Sequence, residues 1–427
     1  MIKYEMNLDN QSILESILNN YIGRNKKLIK LIEILNSIND NKVISIDGNW
    51  GCGKTVFVKQ LQLLGNSTYN DKLLSCNSIN VNVLKNFQNK YIVNYYNAWE
   101  YDFYNYPLLS LIHNIIKVFP EYKSKIVNKK DGNPYSFNSF LKNISCELYD
   151  SKRIVSYQDI YENITKLEDN KIALNSLIDN IVPDDKKILL IIDELDRCKP
   201  SYAVELLEII KHFFNNSKIV FIISTNNDEL SHVINNYYGT NFDGYGYLNK
   251  FYDLIVTLNE IKPSYYLERV IKIGNFDYYY NYVVYCVCDY FHLTMRQINR
   301  LMSDFKFLED FFNTSFGGII NNDIIVKYVF LPYTLTLRLI NSKRLNDFIN
   351  GNGVDELLDF VDNSYEIQGI IKNEYSNRNN ENIDIKKILR DKYDTFFVYN
   401  DSNNVSLNIL KNTFYDTLSL LGDNTIA

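Results

Sequence analysis

What this chain lacks narrows its chemistry first. None of its six cysteines (Cys52, Cys76, Cys146, Cys198, Cys286 and Cys288) falls in a C-x-x-C pair. That removes the spaced thiols of zinc ribbons and redox sites and points to a reduced, cytoplasmic compartment. Cys286 and Cys288, with His292 four residues on, have no second ligand pair and read as small buried side chains rather than a metal site. The four histidines (His113, His212, His232 and His292) are scattered, and no Ser/His/Asp or Cys/His arrangement stands out. No apolar run approaches the roughly 20 residues that span a bilayer. The polar stretch that follows Met1 does not read as a signal peptide. Positive charge is also short: a net charge of −6 and a pI near 5.5 argue against an extended footprint on nucleic acid. The basic clusters at 123–130 and 386–390 are brief, mixed with acids, and read as solvated surface. Tyrosine (35) and phenylalanine (24) are frequent, yet 276–290 holds no basic residue, so Tyr278, Tyr279 and Tyr280 do not make a base-stacking platform. Tyr, Phe, Asn, Ile and Lys share AT-rich codons, and compositional drift accounts for the run.

What is present is an ordinary globular composition, 46% hydrophobic and 22% charged over 427 residues, enough for two or three domains with a large core. One stretch organises the rest. An apolar run at 43–47 leads into Gly48-Asn49-Trp50-Gly51-Cys52-Gly53-Lys54-Thr55 and then into Val56 and a helix over 56–64. Strand, glycine-rich loop and helix in the G-x-x-x-x-G-K-T spacing make a phosphate cradle. The glycines let successive backbone N–H groups converge, and the helix brings its positive dipole end to the same place. Lys54 would reach the β and γ phosphates and the Thr55 hydroxyl would bind Mg²⁺. The competing reading is an ordinary glycine-rich surface loop.

Continuous apolar runs predict buried parallel strands at 91–96, 187–193, 218–223 and 253–258, alternating with helices, hence a three-layer α/β sheet. Asp193 ends the 187–193 run, at the carboxyl end where open α/β sheets bind ligands. It is predicted to hold Mg²⁺ opposite Thr55, with Glu194 placed to polarise an attacking water; the alternative is that both simply begin a helix. Thr225 and Asn226 end the next strand. With that strand inserted between the P-loop and acidic strands, they would face the γ-phosphate, or else merely cap a loop. Gly23 and Arg24, just before the P-loop strand, are candidates for base contacts against a plain helix break. Arg197, and Arg296 with Arg300 one helical turn apart, are candidates for stabilising transition-state charge. A solvated face paired with Asp289 or Asp304 competes for the latter two.

Together these pieces resemble the KAP family of P-loop NTPases. The matching residues are Gly48-x-Trp50-Gly51-x-Gly53-Lys54-Thr55, Asn97-Ala98-Trp99-Glu100-Tyr101, Ile192-Asp193-Glu194-Leu195-Asp196-Arg197-Cys198, Tyr247-Leu248-x-Lys250 and Arg296-x-x-x-Arg300, covering roughly residues 22–305. The resemblance implies an AAA-related, ASCE-type sheet, MgATP as ligand, and a sensor role for Arg296 and Arg300 on a helical lid. It also implies a lead towards phage exclusion and other defence, sometimes as oligomers. The chain departs from the family in carrying no inserted transmembrane helices and in having Glu194 where Asp is usual.

The expected organisation is N-terminal helices over 1–40 and an NTPase core over 41–262 with a helical insert at about 104–180. A helical lid over 263–362 follows, then a C-terminal helical region, 363–427, after a polar connection at 377–382. The expected activity is that of an ATPase that drives or resets a conformational switch, as a homo-oligomer or with a partner effector protein. A low-turnover, nucleotide-dependent signalling module is the second reading. A nucleic-acid motor is the third, disfavoured by the acidic charge.

Overall fold

Five apolar runs condense into one parallel sheet. In the computed structural model, which describes residues 8–74, 79–119, 157–271, 278–312, 323–376, 383–399 and 405–420, the strands are β1 (Lys42–Asp47), β2 (Tyr91–Asn97), β3 (Lys187–Asp193), β4 (Ile219–Thr225) and β5 (Leu254–Thr257). Their order is β2-β3-β4-β1-β5, every pair parallel. β4 therefore lies between the P-loop strand and the acidic strand, as expected. All seven residues of β4 are buried, and six of the seven in β3. That is why both read as unbroken apolar runs rather than alternating ones.

Alternate strand residues feed two cores, one on each face. Ile188, Leu190, Ile192, Ile219, Phe221 and Ile223 pack with helices Pro107–Lys117 and Pro200–Phe213 and the buried end of Tyr157–Ile181. Leu189, Ile191, Val220, Ile222, Ile44 and Ile46 pack with Asn10–Leu18, Asn25–Ser37, Lys54–Leu64 and Val81–Lys90. The result is the predicted three-layer α/β P-loop architecture. Ile222 is fully buried, so Ile222→Val is expected to lower stability by about 0.5–1.5 kcal/mol, read from a thermal melt. Polar anchors set the register at the amino ends of the strands. Asn41 Nδ2 donates to the carbonyls of Phe214, Asn216 and Ile219 at 3.0, 3.2 and 3.1 Å, and Val43 N donates to Asp253 Oδ2 at 2.8 Å.

Several helix boundaries differ from expectation for local reasons. Of the N-terminal helices expected over 1–40, the first occupies Asn10–Leu18 among the described residues, started by an Asp9 side chain that accepts from Ser12 N. It ends where Asn20 takes a φ of 49°. The helix after the P-loop starts at Lys54 rather than 56, because Gly53 at φ 93° is the last non-helical residue. The stretch 65–90 holds helices Asn70–Leu73 and Val81–Lys90. The second is capped by Asn80 and carries Leu84 and Phe87 as its buried residues, a stripe too thin to read. Within the 104–180 insert, residues 120–156 lie outside the described residues. So do the basic cluster at 123–130, Cys76, Cys146 and the polar connection at 377–382.

The chain divides into a unit spanning Asn7–Glu260, just described, and one that runs from Ile261 onward. The second unit is helical throughout its described residues, including Tyr278–Tyr290, Met295–Phe312, Leu331–Ile340, Val354–Asp362, Tyr365–Ser376, Ile385–Tyr393 and Val405–Leu420. Its core is aromatic: Tyr333 and Tyr393 each lie 5.0 Å from Phe348, and Phe396 lies 5.2 Å from Phe414. Tyr280 of the tyrosine run packs on Phe305 and Tyr328 at 5.6 and 5.2 Å. Among the described residues no helix is long and apolar enough to cross a membrane.

Candidate functional site

The site assembles at the carboxyl ends of β1, β3 and β4. Leaving β1, the chain turns at Gly48, where an added Cβ would meet Leu258 O at 2.7 Å and Cys52 Sγ at 2.8 Å. Gly51 and Gly53 take φ values of 80° and 93°, the left-handed region open to glycine. The helix that opens at Lys54 has no side-chain cap, so its first-turn N–H groups face the loop, the arrangement that attracts phosphate. Lys54 is buried, with Nζ donating to Gly48 O at 2.5 Å and Asn49 O at 3.3 Å. Its ammonium is thus held within the turn of its own loop. Thr55 and Val56 form the first helical turn. Asn49 Nδ2 donates to Glu260 Oε1 at 3.0 Å, and Trp50 Nε1 to Asp196 Oδ2 at 2.7 Å.

Asp193, at the end of β3, is 1% exposed. Burial raises its carboxyl above the ordinary range. The Ser224 hydroxyl, hydrogen bonds from Tyr95 Oη (3.0 Å) and the Glu194 N–H (3.1 Å), and the Thr55 hydroxyl pull the other way. Lys59 lies over the Tyr95 ring, 3.2 Å from its centroid. Burial lowers the Lys59 ammonium, and Asp193 and Glu100 raise it. Burial, helped by Asp193, also pushes the Tyr95 phenol up.

This donor set fits Mg²⁺: the buried Asp193 carboxylate and the Thr55 hydroxyl that acts on it are both hard oxygen donors. Among the described residues no trio of His, Cys, Asp and Glu forms an all-protein cage. Mg²⁺ typically binds through one or two carboxylates and completes its octahedron with water and phosphate oxygens.

Glu194 adopts a left-handed backbone, φ 64° and ψ 27°, a conformation that costs a non-glycine residue on the order of 1 kcal/mol and concentrates at working sites. Its carboxylate pairs with Arg197 Nε. The Arg197 guanidinium lies 5.6 Å from the Trp99 ring centroid. Trp99 follows β2 in the short helix Ala98–Tyr101 and is 53% exposed.

The remaining sequence candidates separate. Thr225 Oγ1 donates to Asn227 Oδ1 at 3.0 Å. Asn226 Oδ1 caps the next helix, accepting from Asp228 N and Glu229 N at 3.2 and 3.4 Å. Asn226 thus caps the helix that begins at Asn227, while Thr225 bonds the Asn227 side chain. Gly23 has φ 66°. Arg24 is 7% exposed, donates through Nη2 to Asn259 O, and leaves Nη1 without a partner among the described residues. Arg296 and Arg300 stand in the second unit, exposed, on helix Met295–Phe312. Arg300 Nε lies 3.5 Å from Asp304 Oδ1, the carboxylate its spacing suggested. Asp304 also binds Arg338 at 2.6 Å.

Tyr95, Lys59 and the role of Asp196 escaped the sequence reading. Tyr95 sits inside a strand and Lys59 five residues into a helix, and neither position belongs to a phosphate-site pattern. Asp196 stood in view between Glu194 and Arg197, with nothing to show what it would meet.

Residues 24–265 match the KAP family P-loop domain. Among solved structures, the chain is similar to the ORC2 protein of Aeropyrum pernix in its ADPNP–ADP complexes. The identity is 12%, over 95% of this chain and 94% of that one, with a TM-score of 0.33, a likeness too loose to argue from. No curated protein matches.

Proposed function

The chain belongs to the KAP family of P-loop domains, and from that premise we propose that it is a Mg²⁺-dependent ATPase whose turnover sets or resets a conformational switch. The observation that carries this reading is the buried Asp193 carboxylate at the carboxyl end of β3, with Thr55 among the groups acting on it, beside the loop that holds Lys54. Such an arrangement suits a triphosphate and its metal better than an ordinary surface loop.

The loop N–H groups and the helix end would receive the phosphates. Lys54 would exchange its bonds to Gly48 O and Asn49 O for β- and γ-phosphate oxygens. Thr55 and Asp193 would hold Mg²⁺, which when bound draws charge off the phosphate oxygens. Glu194 would orient the attacking water and take its proton. Arg24, with its partnerless Nη1 beside β1, would serve the base side of the nucleotide. We assign Arg296 and Arg300 a sensor role on a lid over 263–362, and Arg197 a supporting one at Glu194. A cytoplasmic homo-oligomer, or a complex with an effector protein reached through residues 306–427, is the assembly this reading favours, with anti-phage defence as the biological lead.

A low-turnover signalling module remains the second reading, because Glu194 is engaged by Arg197. Steady-state phosphate release from MgATP decides between them. Wild type is expected to turn over. Lys54→Ala is expected to raise the Kd for MgATP about 10-fold and to lower turnover with it. MgATP binding with no Lys54-dependent turnover would favour the signalling module. Salt-sensitive stimulation by DNA or RNA would instead support a motor.

A further inference from the structure

Trp50 is placed oddly for a large aromatic residue. It stands in the middle of the phosphate loop with 44% of its surface exposed, so burial of its ring does not account for its position. What it does make is a directed bond: its indole N–H donates to Asp196 Oδ2 at 2.7 Å. Asp196 is 6% exposed. The same Oδ2 also accepts the backbone N–H of Asn226 at 3.2 Å. Among the described residues no Lys or Arg forms an ion pair with it. One buried carboxylate oxygen therefore joins the loops that leave β1, β3 and β4, three neighbouring strands of the sheet. Asp196 also lies in the 3₁₀ turn Leu195–Arg197, between Glu194 and the arginine that binds it.

We propose that the Trp50–Asp196 hydrogen bond couples filling of the phosphate loop to the placement of Glu194, with Asp196 as the positioning residue. The proposal rests on the reading that this loop takes MgATP and that Glu194 acts on the water. When phosphate enters, Trp50 moves with its loop. Asp196 then carries that movement into a turn too short to absorb it, so the Glu194–Arg197 pair must shift as well. A two-state element whose equilibrium the bound phosphate biases is what such coupling requires.

The test uses Trp50→Phe, which keeps a ring and deletes the indole N–H, and Asp196→Ala, which deletes the accepting carboxylate. Each is expected to hold the Kd for MgATP within about 3-fold of wild type while kcat falls about 10-fold, a split that marks an interaction realised in turnover rather than in binding. The double variant is expected to fall no further than either single one, because both remove the same bond. Hydrogen exchange supplies a readout independent of hydrolysis. Saturating MgATP is expected to protect amides 194–198 in wild type and to leave them unchanged in Trp50→Phe. Protection retained in Trp50→Phe, no protection change in wild type, or additive losses in the double variant would each overturn the proposal. Protection that behaves as expected in a wild type without turnover would count against the hydrolytic reading alone.

Discussion

Glu194→Gln is expected to bind MgATP about as tightly as wild type, with Kd within about 3-fold, and to hydrolyse it about 100- to 1000-fold more slowly. The substitution is nearly isosteric, so the left-handed backbone at this position and the neighbouring N–H to Asp193 should persist. What disappears is the anionic oxygen that would take the proton of the attacking water. The Arg197 guanidinium loses its charged partner at the same time and keeps the face of Trp99. Calorimetric titration with MgATP, beside steady-state phosphate release, reads both quantities. A kcat within about 3-fold of wild type would leave Glu194 only a structural role in the turn after β3.

Asp193→Asn should act on the metal rather than on the water. In wild type, removing Mg²⁺ with a chelator is expected to weaken ATP binding about 10-fold; in the variant the two conditions should differ by less than about 2-fold. Turnover should fall about 100-fold or more, since Asp193 is the carboxylate this reading places on the metal beside Thr55. Thermal melts give an independent check. A ligand at 100 times its Kd stabilises the fold by about 2.7 kcal/mol, so a Mg²⁺-dependent rise in Tm with ATP should be present in wild type and absent in the variant. A variant that still responded to Mg²⁺ would move the metal away from β3.

The parts of this molecule legible in its sequence are those whose signal is local. β3 and β4 announced themselves because strands buried on both faces must be apolar throughout. The phosphate loop did so because only glycine suits the backbone at positions 51 and 53. Asp193 and Glu194 followed from standing at a strand's carboxyl end. The helix Val81–Lys90 stayed hidden because Leu84 and Phe87 are the only buried residues in its length. Tyr95 and Lys59 reach the site from a neighbouring strand and helix, so no spacing along the chain marks them. The pair Trp50 and Asp196 sits in two motifs that the sequence shows plainly, yet the bond between them exists only once β1 and β3 share a sheet. For Arg296 and Arg300 the spacing gave a helix face and one carboxylate partner, which is as far as spacing reaches.

The strand order carries a consequence for how the protein comes off the ribosome. Among the described residues β1 pairs with β4 and β5 alone, so a nascent chain halted at residue 181 holds the whole phosphate loop without either strand that flanks it. β2 waits in the same way for β3. The first strand to emerge is flanked on both sides only once residue 257 has emerged, and closing so long a loop slows folding far more than it weakens the finished structure. Until then Ile44 and Ile46 have the helices Asn10–Leu18, Asn25–Ser37, Lys54–Leu64 and Val81–Lys90 to pack with, and both edges of β1 stay open.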